Sequence, residues 1–468
     1  MNIRIVKAVQ GGGAGMPAHV KAIASKSEAH RFLICATVHS GAIANRETFI
    51  ACQSRSEDID ATARCLQALG ATIKCLPDGF LVTPIRESAT KEGSKSTAVS
   101  LLDCGESGST LRFLLPVCGA LGRRVSFIMG GRLPSRPLSA LYDEMVSHGC
   151  AISRGEPSYD ISRMVKPDGC TEPGNSLLNC EGQLTSGTYT LPGNISSQYV
   201  SGLLFALPLL PEASLIRVTS VLESRPYVDM TLDALRLFGI SISEEPPVEP
   251  AQLKSCEQIF RVPGGQTGSS PETVHVEGDW SNAAFWLSAG AIGKNEISCT
   301  GLNLDSRQGD RAIVELLTRF GANITAASDT VTVSPGKLRG IEINAENTPD
   351  LVPVLAAVAS VAEGKTVIRN AERLRIKESD RLAAITASLS CLGADITETD
   401  DGLIITGKNK LTGGEAESFG DHRIAMAVAV LSAACAGPVL INNAEAVNKS
   451  YPGFFDDFAA LGGISEEV

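Results

Sequence analysis

The chain has 468 residues, which is too long for one ordinary hydrophobic core, so we expect at least two domains. A net charge of −11 argues against a general nucleic-acid binder, whose surface is basic, but leaves room for a local basic pocket that binds a small anion. The 13 cysteines include no C-x-x-C pair, and no apolar run approaches the roughly 18 residues of a membrane helix. The start, Met1 to Gln10, alternates like a strand and does not read as a signal peptide. We therefore expect reduced core thiols in a cytoplasmic protein, without a metal ion or a cofactor.

One short pattern recurs six times along the chain. Its clearest copies include LQALGATI at Leu66–Ile73 and LSCLGADI at Leu389–Ile396. Each copy predicts the last turn of an amphipathic helix, a glycine that ends it, and the start of a strand. Successive copies lie roughly 70 to 90 residues apart, and such regular recurrence is typical of a protein built from repeats. In chain order, the glycines are Gly70, Gly149, Gly239, Gly321, Gly393 and Gly462.

A second kind of helix recurs in step with the first and is apolar almost all round, as in DHRIAMAVAVLSAACAG from Asp421. A helix without a polar face must be buried. Each repeat thus supplies one buried helix, one half-exposed helix and several strands, and three repeats suffice for one domain. The pattern predicts an α+β protein with two similar domains. The buried helices are expected to begin near Ala29, Ser109, Ser196, Ser281, Pro349 and Asp421.

Two segments are predicted to be surface loops. The glycine-rich stretch Gly11–Gly15 contains neither a Walker motif nor a complete G-x-G-x-x-G. The segment EEPPVEP from Glu244 has the composition of an insertion.

Basic residues stand where several helices are expected to begin, which breaks the usual rule that acidic residues are favoured at helix N-termini. The cause that we infer is an anion, held jointly by backbone N–H groups, helix dipoles and cationic side chains. Serine clusters stand beside the same positions and suit contact with phosphate oxygens. The basic residues are Lys26, Arg31, Arg112, Lys377, Arg381 and Arg423.

Ten ordered motifs resemble the 5-enolpyruvylshikimate-3-phosphate synthase family, and the resemblance runs through nearly the whole chain. In the first half they are ASKSEAHR at Ala24, CGESGSTLR at Cys104, LPSRPL at Leu133, ISSQYVSGLL at Ile195 and ESRPYVDMTL at Glu223. In the second half they are VEGDWSNAAF at Val276, TPDLVPVLA at Thr348, LRIKESDRL at Leu374, GDHRIAMA at Gly420 and NKSYPGFF at Asn448.

The resemblance implies a fold and a reaction. The family's fold has two similar domains, each of three βαβαββ-type repeats around buried helices, which close like a clam around the substrates. This implies one domain from residues 25–276 and a second from residues 1–24 and 277–468. The implied enzyme is a cytoplasmic monomer of the shikimate pathway. It transfers the enolpyruvyl group of phosphoenolpyruvate to the 5-hydroxyl of shikimate 3-phosphate and releases phosphate.

The resemblance also implies roles for individual residues. Shikimate 3-phosphate would be bound by Lys26, Ser27, Arg31, Ser196, Ser197, Gln198, Ser224, Tyr227, Asp350 and Lys377. Phosphoenolpyruvate would be bound by Lys26, Gly108, Arg136, Gln198, Arg381, Arg423 and Lys449. Asp350 would be the base at the hydroxyl, and Glu378 would transfer the proton at the methylene carbon, with Lys26 as a second candidate.

Three positions depart from the common family pattern. Ile23-Ala24 replaces a Pro-Gly pair before the first serine, Glu106 replaces an asparagine near phosphoenolpyruvate, and Arg373 replaces a polar residue near shikimate 3-phosphate. These departures affect the details of the expected pocket.

Three alternatives remain at this point. A UDP-N-acetylglucosamine enolpyruvyl transferase would share the fold, but typically has a reactive cysteine in the loop that reads GGRLPSRPL here, and an asparagine where Ser27 stands. An RNA-end cyclase would use His422 as nucleotidyl acceptor, which the acidic charge disfavours. A non-catalytic anion-binding protein would not need Asp350 and Glu378.

Overall fold

The computed structural model describes residues 1–9, 18–39, 46–85, 99–155, 176–245 and 258–468. The loop predicted at Gly11–Gly15 lies outside the described residues, as does most of the EEPPVEP segment. The chain divides into two compact units. Unit 1 comprises Met1–Lys26, Ser54–Ser56 and Glu277–Val468, and unit 2 comprises Ser27–Gln53 and Glu57–Val276.

Within the described residues, each unit contains three copies of one folding motif. A strand leads into a buried helix and then into a second, parallel strand. A half-exposed helix follows, and the motif ends in two antiparallel strands. Each sheet has four strands in the order first, second, fourth, third. The predicted α+β class and the predicted pairing of one buried with one half-exposed helix are therefore confirmed.

In unit 2, two of the three motifs are continuous in the chain. One has β6 (Ser100–Gly105), α3 (Gly108–Ala120), β7 (Val125–Met129), α4 (Ser139–Ser147), β8 (Cys150–Gly155) and β9 (Ser176–Gly182). The next has β10 (Thr188–Leu191), α5 (Ser197–Ala206), β11 (Ser214–Val218), α6 (Arg225–Leu237), β12 (Ser243–Glu245) and β13 (Gln258–Val262). The remaining motif takes its first strand, β14 (Thr273–His275), from far along the chain. Its other elements are α1 (Lys26–Val38), β3 (Thr48–Ala51), α2 (Glu57–Ala68), β4 (Thr72–Leu76) and β5 (Gly79–Thr83).

In unit 1, two motifs draw a strand from the N-terminal segment. The first has β2 (Ala18–Lys21), α7 (Trp280–Ile292), β15 (Ile297–Thr300), α8 (Ile313–Phe320), β16 (Asn323–Ala327) and β17 (Thr330–Ser334). The second has β18 (Glu342–Asn344), α9 (Val352–Ala359), β19 (Lys365–Arg369), α10 (Arg381–Cys391), β20 (Asp395–Thr399) and β21 (Gly402–Thr406). The third has β22 (Gly414–Glu417), α11 (His422–Leu431), β23 (Val439–Asn442), α12 (Phe454–Ala460), β24 (Ile464–Glu467) and β1 (Ile3–Lys7).

The six repeated glycines end their helices as predicted. All of them have φ between 79° and 107°. This left-handed conformation is readily adopted only by glycine, because it has no Cβ. The chain can therefore leave each helix and enter the next strand within two to five residues.

The buried helices form the cores of the two units. In unit 1, α7, α9 and α11 pack against one another, and Trp286 of α7 stacks on Phe454 with ring centroids 4.6 Å apart. In unit 2, α3 packs on α5, where Phe113 and Phe205 meet edge to face at 5.5 Å. This packing fixes the N-termini of the buried helices, where the predicted site residues lie.

Cysteines in the described part of the chain are free thiols, and most are buried. Cys75 and Cys391 are exposed, and Cys435 is half-buried. The described helices include none with the length and apolar character that a membrane crossing requires. Nor do the described residues bring together three side chains suited to bind a metal ion.

Candidate active site

Arg381, the first residue of α10 in unit 1, is surrounded by three carboxylates although its side chain is only 2% exposed. Its Nη1 donates to Asp350 Oδ1, its Nη2 to Glu378 Oε2 and its Nε to Asp421 Oδ2, each at 2.7 Å. Burial alone would lower the pKa of Arg381, but the three negative charges raise it above its ordinary value. A single guanidinium thus fixes the positions of both predicted acid–base carboxylates.

Asp350 lies between two arginines, in the short turn Pro349–Leu351 that leads into α9. Its second oxygen accepts a bond from Arg423 Nη2 at 2.9 Å. Burial raises the pKa of Asp350, but Arg423, Lys377 and Arg381 together lower it well below its usual range. About a fifth of the side chain, 19%, stays exposed, so the ionised carboxylate can still be reached.

Asp421 is the third carboxylate bound to Arg381, and its contacts were not predicted from the sequence. It is fully buried, caps α11 by accepting from the Arg423 amide at 3.0 Å, and accepts from Ser379 Oγ at 3.0 Å. Its remaining bonds go to Arg381. The sequence predicted that a buried helix begins near Asp421, but the pairing of Asp421 with an arginine 40 residues earlier left no local signal.

Two further cations of unit 1 belong to the same group. Lys449 Nζ donates to the carbonyl of Gly420 at 2.7 Å, next to the cap of α11. The Lys26 amide donates to Asp279 Oδ2 at 3.1 Å. Burial lowers the pKa of His422, and the positive charges of Lys26, Arg423 and Arg381 lower it further. The imidazole is therefore neutral, although the negative charge of Glu378 opposes the shift.

Asp310 is a second buried carboxylate near this group that the sequence analysis did not identify. It precedes α8, is 1% exposed and accepts a hydrogen bond from Ser281 Oγ. Burial and the negative charge of Asp350 raise the pKa of Asp310 to about 7, although Arg423 opposes the shift. Unit 1 therefore contains one carboxylate held ionised and another held partly protonated near neutral pH.

In unit 2, two arginines crowd the N-terminus of α3 at Gly108. A Cβ on Gly108 would lie 2.5 Å from Arg112 Nη1 and 2.6 Å from Arg136 Nη1. Ser107 caps the helix by accepting from the Thr110 amide at 3.3 Å. A bare helix N-terminus flanked by two guanidiniums is a typical anion-binding arrangement.

The N-terminus of α5 is tied to that of α3 by Gln198. Ser196 caps α5 by accepting from the Gln198 amide at 3.3 Å, and Ser197 is the first residue of the helix. Gln198 Nε2 donates to Ser109 Oγ at 2.9 Å. The serine cluster and the glycine loop, predicted from separate motifs, therefore lie side by side in unit 2.

Ser224, the residue before α6, has φ of 54°, a left-handed conformation that non-glycine residues rarely adopt. One helical turn on, the carbonyl of Tyr227 accepts from Arg31 Nη2 at 2.6 Å. Arg31 Nη1 donates to the carbonyl of Ser27 at 2.6 Å. Burial lowers the pKa of Arg31 to about 10, which still leaves it charged at neutral pH. Arg31 thus links the first turn of α1 to that of α6.

Two of the three departures from the family pattern lie beside these groups. The Glu106 carboxylate packs against Gly131, where a Cβ would lie 2.3 Å from it. Arg373 in unit 1 is 8% exposed and donates from Nη2 to the carbonyl of Glu346 at 2.7 Å. The described contacts of Arg373 therefore include a backbone carbonyl of its own unit.

The predicted site residues are divided between the two units. Unit 1 contains Lys26, Asp350, Lys377, Glu378, Arg381, Arg423 and Lys449. Unit 2 contains Ser27, Arg31, Gly108, Arg136, Ser196, Ser197, Gln198, Ser224 and Tyr227.

Two solved structures share this fold over the whole chain. The enolpyruvyl transferase NikO from Streptomyces tendae superposes with a TM-score of 0.70 and 19% identity, over 100% of this chain and 98% of its own. EPSP synthase from Acinetobacter baumannii superposes with a TM-score of 0.73 and 24% identity, over 100% of both chains. The fold is therefore that of the enolpyruvyl transferases.

Sequence relatives define the family more narrowly. The family model of EPSP synthase (3-phosphoshikimate 1-carboxyvinyltransferase) matches residues 11–458. The 3-phosphoshikimate 1-carboxyvinyltransferase of Clostridium kluyveri is 43% identical, over 96% of each chain. The chain belongs to the EPSP synthase family. The predicted family, fold and enolpyruvyl transfer from phosphoenolpyruvate to shikimate 3-phosphate are thus confirmed, and transfer to a UDP-amino sugar is not favoured.

Proposed function

We propose that the chain performs this transfer by addition and elimination, with Asp350 and Glu378 as its proton-transferring residues and Lys26 assisting. The observation that carries the proposal is the joint contact of Arg381 with both carboxylates at 2.7 Å. Two carboxylates held by one rigid fork keep a fixed separation, which suits proton transfer at the reacting atoms of two substrates bound side by side.

The reaction needs three proton transfers. A proton is added to the methylene carbon of phosphoenolpyruvate while the 5-hydroxyl of shikimate 3-phosphate attacks the central carbon and loses its own proton. The tetrahedral intermediate then loses a proton from its new methyl group, and phosphate leaves. One group must therefore act as base at the hydroxyl, and another must give and then take back a proton at carbon.

Asp350 suits the first task because it is ionised and partly accessible. Arg423 and Arg381 stabilise its charge, which makes it a weak base. When the carboxylate and phosphate of phosphoenolpyruvate compete for these arginines, the stabilisation weakens and the carboxylate becomes more basic. Binding of the second substrate would thus activate the base.

Glu378 suits the second task because Arg381 Nη2 holds its carboxylate at 2.7 Å while 18% of its side chain stays exposed to a substrate. Lys377 precedes it and would assist near the 5-hydroxyl. The cations Arg381, Arg423 and Lys449 would bind phosphoenolpyruvate, together with Gly108, Arg136 and Gln198 of unit 2. Lys26 would contact both substrates.

The residues of unit 2 would mainly hold shikimate 3-phosphate, through Ser27, Arg31, Ser196, Ser197, Gln198, Ser224 and Tyr227. We therefore propose two domains with different tasks. Residues 25–276 would form the domain that mainly holds shikimate 3-phosphate, and residues 1–24 with 277–468 would form the domain that carries Asp350 and Glu378. We further propose that the enzyme works as a monomer in the cytoplasm without a cofactor.

The central test measures phosphate release from phosphoenolpyruvate with and without shikimate 3-phosphate. We expect release only when both are present, and none when UDP-N-acetylglucosamine replaces shikimate 3-phosphate. Asp350→Asn and Glu378→Gln should each lower kcat by roughly 10²–10⁴, the usual effect of a positioned acid or base. Exposed Glu372, in the turn before Lys377, provides the control Glu372→Gln, which should keep the parental rate.

Deuterium exchange distinguishes the roles of the two carboxylates. Glu378→Gln should suppress exchange of solvent deuterium into the methylene of phosphoenolpyruvate, whereas Asp350→Asn should mainly slow attack by the hydroxyl. If Glu378→Gln kept full turnover and full exchange, the assignment would be wrong and Lys26 would be the leading candidate.

A further inference from the structure

Arg112 connects three segments of unit 2 although no substrate role is assigned to it above. It lies one turn after Gly108 on α3 and is 3% exposed. Its Nη1 donates to the carbonyl of Gly108 and to Gln198 Oε1, both at 3.4 Å, and its Nη2 donates to the carbonyl of Pro137 at 3.2 Å. Two of these acceptors belong to residues proposed to bind phosphoenolpyruvate, and Pro137 follows a third such residue, Arg136.

The contact with Gln198 fixes which way its amide points. The oxygen and nitrogen of an amide are nearly alike in shape, so their orientation depends on their partners. A guanidinium has only N–H donors, so the end that faces Arg112 must be the oxygen. The nitrogen then faces Ser109 and uses one of its two hydrogens to donate a hydrogen bond to Ser109 Oγ at 2.9 Å. The other hydrogen remains a donor beside the N-terminus of α3.

The contact with Pro137 fixes the distance from Arg112 to Arg136. Both guanidiniums approach the same face of Gly108, within 2.6 Å of a common point. Two like charges this close repel each other, so other contacts must hold each of them in place. Pro137 O accepts from Arg112 and from Tyr199 Oη, the latter at 2.5 Å, which anchors the backbone next to Arg136.

We propose that Arg112 is a positioning residue for phosphoenolpyruvate, which orients the Gln198 amide and sets the separation between Arg136 and Gly108. The proposal rests on the function proposed above. It requires the shape of the guanidinium, because only a planar fork reaches all three acceptors. A lysine would keep the charge and lose this geometry.

The test compares Arg112→Lys with the parent in full steady-state kinetics. We expect KM for phosphoenolpyruvate to rise about tenfold, the loss of roughly one charge-assisted hydrogen bond. KM for shikimate 3-phosphate should rise less, because six other residues of unit 2 are proposed to hold that substrate besides Gln198, and the melting temperature should change little. The control is Arg64→Lys, a change in the same unit at an arginine that also donates to a backbone carbonyl, Asp103 O at 3.0 Å. It should leave all three quantities near the parental values.

A double-mutant cycle with Gln198→Met tests whether Arg112 acts through the amide. If it does, the combined variant should raise KM for phosphoenolpyruvate by clearly less than the product of the two single effects. Multiplicative effects, or an unchanged KM in Arg112→Lys, would overturn the proposal. If Arg112→Lys does not fold, Ser109→Ala still tests the same amide from its other end, and an unchanged KM for phosphoenolpyruvate there would also overturn it. A parent that releases no phosphate with both substrates would instead refute the proposed function.

Discussion

Replacing Asp421 with asparagine tests whether the position of Arg381 controls the rate. Asparagine has nearly the same volume and caps a helix about as well as aspartate, so α11 should keep its N-cap. What disappears is the negative charge that accepts from Arg381 Nε at 2.7 Å in a fully buried pair. The substitution therefore separates the ion pair from the cap.

The size of the effect follows from the remaining contacts of Arg381. Breaking an isolated buried ion pair costs about 3–5 kcal/mol, because a charge is left uncompensated. Arg381 keeps Asp350 and Glu378, so we expect a loss closer to one hydrogen bond to a charged group, about 2 kcal/mol. For a folding unit of this size that lowers the melting temperature by about 4–8 °C. If the same free energy is lost from the transition state, kcat falls about 30-fold.

Phosphate-release kinetics measure kcat, and thermal melting separately measures the loss of stability. Asp380→Asn is the matched control, because Asp380 caps α10 by accepting from the Ala383 amide at 3.2 Å and pairs with Arg375 in a half-exposed setting. An exposed pair contributes at most about 1 kcal/mol, so this variant should stay close to the parent. A kcat for Asp421→Asn within twofold of the parental value would refute the reasoning, whatever the melting temperature does.

Three further outcomes are expected. Gly108→Ala should raise KM for phosphoenolpyruvate by about tenfold or more, because two guanidiniums must leave their rotamers to admit the methyl group; an unchanged KM would contradict this. Asp310→Asn should gain stability relative to the parent as pH rises from about 4 to 7. The raised pKa means that the folded parent binds more protons than the unfolded chain in this window and loses stability through it, and parallel pH–stability curves would exclude this. Among the cysteines of the described ranges, mild alkylation should modify Cys75 and Cys391 first and leave most activity, whereas rapid inactivation that substrates prevent would indicate a cysteine in the site.

The repeats were predictable from the sequence because their signals are local. A glycine after an amphipathic helix specifies the helix end by itself, and Gly321 caps α8 with φ of 103° as its pattern predicts. The buried helices were equally visible, since a segment such as that from Asp421 has almost no polar face. These signals depend on neighbouring residues only.

The contacts within the site were harder to predict from the sequence. Asp421 and Arg381 are 40 residues apart, and Arg112 and Gln198 are 86 apart, so their pairing depends on how the motifs pack. The resemblance gave roles to Arg381 and Gln198 but none to Asp421 or Arg112. Asp310 carries no local signal, because its raised pKa comes from burial and from a carboxylate 40 residues later.

The exchange of strands between distant parts of the chain has a consequence for synthesis on the ribosome. Unit 2 takes its last strand, β14, from Thr273–His275, so all its elements exist once that segment has left the ribosome. Unit 1 needs β1 and β2, which are made first, yet their partners β23, β24 and β15 come much later. At about 5–20 residues per second, the remaining part of the chain takes on the order of 10–40 s to make. For most of that interval β1 has exposed edges and lacks β23 and β24, so a nascent chain should acquire a protected unit 2 well before Ile3–Lys7 becomes resistant to proteolysis.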